Sequence, residues 1–87
     1  MNQKKWNREN ELATFLRKRR HETGLSQEEL ADTTGVGLRF IRDWEQGKPS
    51  LMTNKVNLVL SFFGYELTVK KIFPNYERER LLFGSGV

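Results

Sequence analysis

Cysteine is absent from the sequence and histidine occurs once, so several kinds of chemical site are excluded at the start. Without cysteine, neither disulfide bonds nor thiolate chemistry can operate. The one histidine, His21, cannot build a histidine metal cluster, and because it follows the basic run Arg17–Arg20 we predict a surface role for it. The stretch Gly35–Gly37 lacks the third glycine and the preceding strand of a dinucleotide site. We therefore predict no metal site, no cofactor and no enzymatic activity.

Long hydrophobic runs are missing as well. No segment approaches the roughly 18 consecutive apolar residues that cross a bilayer, and residues 1–6 lack the apolar core of a signal peptide. No predicted helix pairs a wide apolar face with a mainly basic one, which argues against a role on a membrane surface. We expect a cytoplasmic protein without a membrane partner.

The sequence does contain a modest excess of basic charge on a short chain. Its 87 residues suffice for one domain, and chains of this size have a thin core and often bury further surface in a dimer. The net charge is +4, and 37% of the residues are hydrophobic. A basic balance favours polyanionic partners, with nucleic acid ahead of acidic membranes.

Apolar residues recur at helical spacing through most of the chain, and glycines interrupt the pattern. Ser26 and Glu29 have the spacing of a capping box, which marks the start of the second helix. The predicted helices run from Asn7 or Asn10 to just before Gly24, from Ser26 to Gly35, from about Gly37 to Gln46, and from Ser50 or Thr53 to Gly64. We predict a mainly α fold of four to five helices.

After Gly64 the pattern changes to alternation, which predicts a β-strand over residues 65–72. A single strand leaves its backbone groups unpaired, so its simplest partner is the same strand of a second copy, related by a two-fold axis. The residues predicted to form this homodimer contact are Tyr65, Leu67, Val69 and Ile72. Residues 73–87 are a C-terminal tail whose glycine-rich end has a flexible composition.

The second and third helices are separated by a very short turn. Ala31 is small enough for a close helix crossing, and Gly35 falls where the turn requires a positive φ. The apolar residues predicted to be buried in this part of the chain are Val36, Ile41 and Trp44. Two short helices joined by a tight turn, with one apolar face, form the arrangement of a DNA-reading helix-turn-helix. We assign residues 7–64 to such a DNA-binding domain.

This region resembles the Xre family of lambda-repressor-like helix-turn-helix proteins. The residues that carry the resemblance, which covers about Leu12 to Phe63, are Gln27–Ala31, Gly35–Val36 and Ile41–Lys48. The Gly64–Leu67 junction, with a strand predicted directly after the fourth helix, makes the chain most similar to the HipB antitoxins. Members of that group are dimers that repress their own operon and bind a HipA-like kinase toxin. The resemblance therefore implies an inverted-repeat operator in double-stranded DNA and a kinase toxin as partners; the tail from Phe73 onward does not match.

The resemblance also implies roles for individual residues of this chain. In the family, the glutamine that begins the second helix binds a phosphate, and here that residue is Gln27. The exposed start of the third helix reads bases, and the corresponding residues are Gly37, Leu38, Arg39 and Arg42. An arginine can donate to guanine O6 and N7, and a leucine can pack on a thymine methyl. The other residues assigned to phosphates are Ser26, Arg17, Lys48 and Ser50.

Several of these interpretations have simpler alternatives. Exposed arginines are usually a solvated face, and Gly37 can act as an N-cap or let the helix approach the groove closely. Phe40 can pack against the fourth helix or lie on the DNA backbone. We predict an autoregulating repressor and antitoxin, located at the nucleoid through its DNA binding. The alternatives are a protein-interaction module of the same fold and a repressor unrelated to toxin–antitoxin systems.

Overall fold

The computed structural model of the protein describes residues 6–70, and these contain four α-helices. The helices are α1 (Glu11–Thr23), α2 (Gln27–Thr34), α3 (Leu38–Glu45) and α4 (Thr53–Phe62). The mainly helical fold predicted from the sequence is confirmed. None of these helices, within residues 6–70, is long and apolar enough to cross a membrane.

Side chains that precede α1 and α2 fix where these helices begin. The Asn10 side-chain oxygen accepts a hydrogen bond from the Ala13 amide at 2.8 Å, so Asn10 is the N-cap of α1. At α2 the capping box is complete: the Glu29 amide donates to Ser26 Oγ at 3.0 Å, and the Ser26 amide donates to the Glu29 carboxylate at 2.8 Å. Caps of this kind contribute about 1 kcal/mol each, because they satisfy amides that the helix itself cannot.

The turn between α2 and α3 is as short as the sequence predicts. Gly35 ends α2 with a φ of 83°, and its amide donates to the Ala31 carbonyl at 2.9 Å. Only glycine adopts that conformation without strain. Ala31 is buried, and α3 packs against both α1 and α2, while α4 packs against α2. The expected helix-turn-helix geometry is therefore present.

The core is built around Trp44, which is almost fully buried on the inward face of α3. Its indole N–H donates to the Leu12 carbonyl at 3.0 Å, so the polar end of the ring keeps a partner inside the protein. Burying a large apolar side chain contributes about 1.5–3 kcal/mol. The buried residues that surround it include the predicted Val36 and Ile41, together with Leu16, Leu30, Ala31, Val56, Val59 and Leu60.

Phe40 takes the first of its two predicted positions, in the protein rather than on an open surface. The ring is half-buried against the core and lies edge-on to Trp44, with 5.9 Å between the ring centres. The ammonium of Lys55 on α4 lies 5.8 Å from the ring centre, so Phe40 faces α4.

The segment after α4 does not form a strand within the single chain. Residues 65–70 belong to no helix or strand, while Ile72 and the tail 73–87 lie outside the described residues. The Tyr65 ring packs edge-on against Phe15 of α1, with 4.9 Å between the ring centres. The Leu67 amide donates to the Asn57 side-chain oxygen at 2.8 Å. The predicted strand is unconfirmed, because no segment among residues 6–70 pairs with it in a ladder.

Candidate nucleic-acid interface

The outward face of α3 carries the two arginines that the sequence predicts for base reading. The Arg39 side chain is 90% exposed and the Arg42 side chain 53% exposed. They lie one helical turn apart. The opposite face of the same helix is held in the core by Ile41 and Trp44. The helix is therefore fixed in the protein while its two longest cationic side chains extend into solvent.

The first two predicted base-reading positions differ from the arginines. Gly37 occupies the N-cap position of α3, with a φ of −72°. It makes no side-chain capping bond, and nothing lies within 4 Å of where its Cβ would be. Leu38 is half-buried and packs against the core. Only part of the Leu38 side chain is thus left for contact with a base.

A buried ion pair lies beneath the N-terminus of α2. Arg20 of α1 donates from Nε to one Glu45 carboxylate oxygen at 2.6 Å and from a terminal nitrogen to the other at 2.9 Å. The side chains are 13% and 3% exposed, respectively. The hydrogen bond to Glu45 raises the pKa of Arg20 above its ordinary value, although burial acts in the opposite direction. The Arg20 guanidinium therefore keeps its charge in this buried position.

Gln27, the predicted phosphate ligand, is part of this buried cluster. Its side-chain N–H donates to the Glu45 carboxylate at 3.0 Å, and the residue is half-buried. One donor of the Gln27 amide is therefore used inside the protein. The bond also holds the side chain in one orientation at the first residue of α2.

The Arg17 side chain, predicted to contact a phosphate, is held by hydrogen bonds inside the protein. One terminal nitrogen donates to the Glu45 carbonyl at 2.6 Å and to the Arg8 carbonyl at 2.8 Å, and the other lies 3.9 Å from the Glu9 carboxylate. It lies in the wall of an open groove between α1 and the start of α2. The other residues that line this groove include Arg8, Lys18, Arg20, His21, Gln27 and Glu45.

The remaining predicted phosphate contacts lie at the ends of the helix-turn-helix. Ser26 is exposed, and its hydroxyl oxygen caps α2. The Lys48 ammonium lies 3.7 Å from the Asp43 carboxylate and 6.0 Å from the centre of the Trp6 ring. Ser50 is exposed in the loop that leads to α4. All three lie at or near the surface.

Comparison with known proteins agrees with this geometry. A family model described as "Helix-turn-helix domain" matches residues 11–64, from the first residue of α1 to the glycine after α4. The chain belongs to this helix-turn-helix family. It is also similar to a protein of Sinorhizobium fredii (strain NBRC 101917 / NGR234) named "Uncharacterized HTH-type transcriptional regulator y4mF". The two are 42% identical over 59 residues, which cover 68% of this chain and 78% of that protein.

In this helix-turn-helix protein the Arg20–Glu45 pair is the feature that sequence reasoning missed. The sequence assigns Arg17 of the run Arg17–Arg20 to a phosphate and predicts no buried partner for Arg20; only Lys18 of the four is exposed. Arg19 is half-buried and forms an ion pair of 2.9 Å with Glu22. A signal for Arg20 did exist, because it follows the buried Leu16 by four residues and so falls on the same helix face.

Proposed function

We propose that this helix-turn-helix protein is a sequence-specific DNA-binding transcriptional repressor. The observation that carries the proposal is the outward face of α3, where Arg39 and Arg42 extend from a helix fixed by Trp44. A helix of this kind fits the major groove, where each arginine can donate two hydrogen bonds to a guanine. The exposed part of Leu38 is suited to a thymine methyl. The printed name of the relative, a transcriptional regulator, supports the same function.

The start of α2 supplies the phosphate contacts in this proposal. The amides of Gln27 and Glu28 open the helix and have no acceptor within it, which suits a phosphate oxygen. The Gln27 side chain, held by Glu45, keeps a second N–H for the same oxygen. The residues that would add further contacts to the DNA backbone are Ser26, Arg17, Lys48 and Ser50.

We further propose that the protein binds an inverted-repeat operator as a homodimer. Two copies related by a two-fold axis would place their α3 helices about 34 Å apart, one turn of DNA. Val69 supports a contact through residues 65–72, because it is 97% exposed in the single chain. Valine favours a strand, and a second copy would cover it.

The finer part of the proposal is that the repressor is the antitoxin of a HipBA-like operon. Its support is the resemblance to HipB proteins in the short chain and the Gly64–Leu67 junction, with a strand predicted directly after the fourth helix. The protein would act by binding a HipA-like kinase toxin and its own operator, with no chemistry of its own. Within residues 6–70 no cluster of His, Cys, Asp and Glu side chains is arranged to hold a metal ion. A kinase encoded beside this protein should co-elute with it as a defined complex in size-exclusion chromatography; separate elution would argue against the antitoxin role.

The DNA-binding proposal is tested by fluorescence anisotropy with a duplex taken from upstream of the protein's own coding sequence. Arg39→Ala should weaken binding by roughly 1–3 kcal/mol, the usual cost of losing one base-reading arginine. Lys55→Ala is the control, because it removes the same charge from α4 at a residue assigned neither to DNA nor to the homodimer contact. Equal losses in the two variants would mean that only net charge matters.

Weak binding that depends steeply on salt and is indifferent to Arg39 would favour the interaction-module alternative. That alternative has one observation in its favour, since Arg39 and Arg42 each lie within 4.0 Å of a carboxylate. A strong, Arg39-dependent preference for the upstream duplex without any kinase complex would indicate a repressor unrelated to toxin–antitoxin systems.

A further inference from the structure

Each cation on the outward face of the helix-turn-helix has a carboxylate beside it. Arg39 Nε lies 3.9 Å from Asp43 Oδ2, and the Lys48 ammonium lies 3.7 Å from the same oxygen. Asp43 belongs to α3 and follows Arg39 by one helical turn. One carboxylate therefore serves two cations that are assigned to DNA in the proposed function.

The third cation, Arg42 of α3, is paired with a carboxylate on α2. A terminal nitrogen of Arg42 lies 3.8 Å from the carboxylate of Glu28, the second residue of α2. The face thus holds three cations and two carboxylates, with a net charge of only +1. The basic balance of the whole chain, +4, is not concentrated there.

These pairs are long, and each has at least one partner whose side chain is 39% or more exposed, so they add little to stability. All three distances lie between 3.7 and 3.9 Å, and exposed pairs contribute about 0–1 kcal/mol. Their effect on DNA is larger, because a phosphate that approaches Lys48 or Arg42 also approaches a like charge. The carboxylate must lose its cation and then face the phosphate.

We propose that Asp43 and Glu28 set sequence specificity by penalising DNA that offers only phosphate contacts; this inference rests on the proposed DNA-binding function. Non-specific binding comes from phosphate contacts, so the two carboxylates weaken it directly. At the operator Arg39 and Arg42 donate to base edges instead of to phosphates, so fewer phosphates lie beside the carboxylates and the penalty is smaller. Specificity is the difference between the two affinities, and a repulsive group increases it by weakening the wrong complex more.

The test compares Asp43→Asn and Glu28→Gln with the wild type on two duplexes, the upstream sequence and a scrambled sequence of the same composition. Anisotropy titrations are run over a series of salt concentrations. Each neutralised variant should bind the scrambled duplex about 3- to 10-fold more tightly at low salt. For Asp43→Asn the slope of log K against the logarithm of the salt concentration should become more negative by about 0.9, which corresponds to one further phosphate contact. The affinity for the upstream duplex should rise by a smaller factor, so the ratio of the upstream affinity to the scrambled affinity should fall.

Two controls separate the carboxylate effect from net charge. Glu11→Gln makes the same change of charge at the exposed start of α1, at a residue assigned neither to DNA nor to the dimer contact, and should leave the preference unchanged. Asp43→Glu keeps the negative charge on α3 and should keep non-specific binding within about 2-fold of the wild type, since one methylene alters the distance only modestly. Glu28 is exposed, so Glu28→Gln tests the idea even if Asp43→Asn folds poorly.

Two results would overturn the inference while leaving the proposed function intact. The first is equal binding of the scrambled duplex by Asp43→Asn, Glu28→Gln and Glu11→Gln. The second is a loss of upstream binding by Asp43→Asn with no change on the scrambled duplex, which would make Asp43 a direct base contact, for example to cytosine N4. A wild-type chain with no preference for the upstream duplex would overturn both the inference and the proposed function.

Discussion

Glu45 joins three parts of the molecule through one side chain and one carbonyl. Its carboxylate accepts hydrogen bonds from Arg20 of α1 and Gln27 of α2, and its carbonyl accepts one from Arg17. Because Glu45 is buried, these donors replace the water that the carboxylate loses. Removing the carboxylate would leave the Arg20 guanidinium buried without its counter-charge.

We therefore expect Glu45→Ala to lower the free energy of unfolding by about 3 kcal/mol, the cost of breaking a buried pair from one side. Urea denaturation followed by circular dichroism measures the change. Glu22→Ala is the matched control, because it breaks the more exposed pair with Arg19 and should cost no more than about 1 kcal/mol. Similar losses in both variants would show that the buried pair contributes little.

The sequence predicts the buried residues correctly where an apolar side chain at helical spacing is enough to indicate burial. Ile41 and Trp44 are predicted to be buried from their spacing, and both are. Arg20 was missed because a charged residue in a basic run is normally solvated. Helical spacing could have placed Arg20 inward, but its partner Glu45 is 25 residues away and is brought near only by the packing of α3 on α1.

At the scale of elements, the end of α3 is locked to the start of α1 through Gly47. The φ of Gly47 is 94°, and a Cβ built there would overlap the Asn7 carbonyl. The Asn10 side chain that caps α1 also donates to the Gly47 carbonyl at 3.3 Å. Both the backbone conformation and the close approach of the chain therefore require glycine.

Gly47→Ala should lower the free energy of unfolding by about 2–4 kcal/mol, because strain at a positive φ adds to the steric overlap. Gly35→Ala measures the backbone strain without the steric overlap. The φ of Gly35 is similar, at 83°, but nothing lies within 4 Å of its Cβ position. We expect it to cost about 1 kcal/mol. Thermal or urea unfolding of the two variants measures the difference. Equal losses of unfolding free energy would mean that the backbone at Asn7 moves away from residue 47 at little cost.

Element prediction was accurate where local signals decide the outcome. Asn10, Ser26 and Gly35 mark helix ends through bonds made within a few residues, so the sequence contains what is needed. The segment after Gly64 is different. Its alternation predicts a strand, but a ladder needs a partner, and the part of the chain that the structure describes supplies none. Instead the Leu67 amide is taken by Asn57 of α4.

At the scale of the whole molecule, the residues predicted for dimerisation divide into two groups. Tyr65 packs on Phe15 and lies 5.6 Å from the Arg19 guanidinium, and Leu67 lines a groove with Leu12 and Phe15 of α1. These two side chains anchor the segment to its own subunit. Val69 is almost fully exposed. A ladder with a second copy would therefore begin after Leu67 or require the Leu67–Asn57 bond to break.

A charge at Val69 tests the homodimer without disturbing the subunit. Val69→Asp should weaken self-association at least 10-fold, since two carboxylates would be buried near the two-fold axis. It should leave the unfolding free energy of one subunit within about 0.5 kcal/mol, because the side chain is exposed there. Thr68→Asp adds the same charge on the other side of the predicted strand and serves as the control. Sedimentation equilibrium gives the association constant for each variant. If Val69→Asp remained as dimeric as the wild type, contact through residues 65–72 would be wrong, and the spacing of the two α3 helices on an operator would have to be set by another surface.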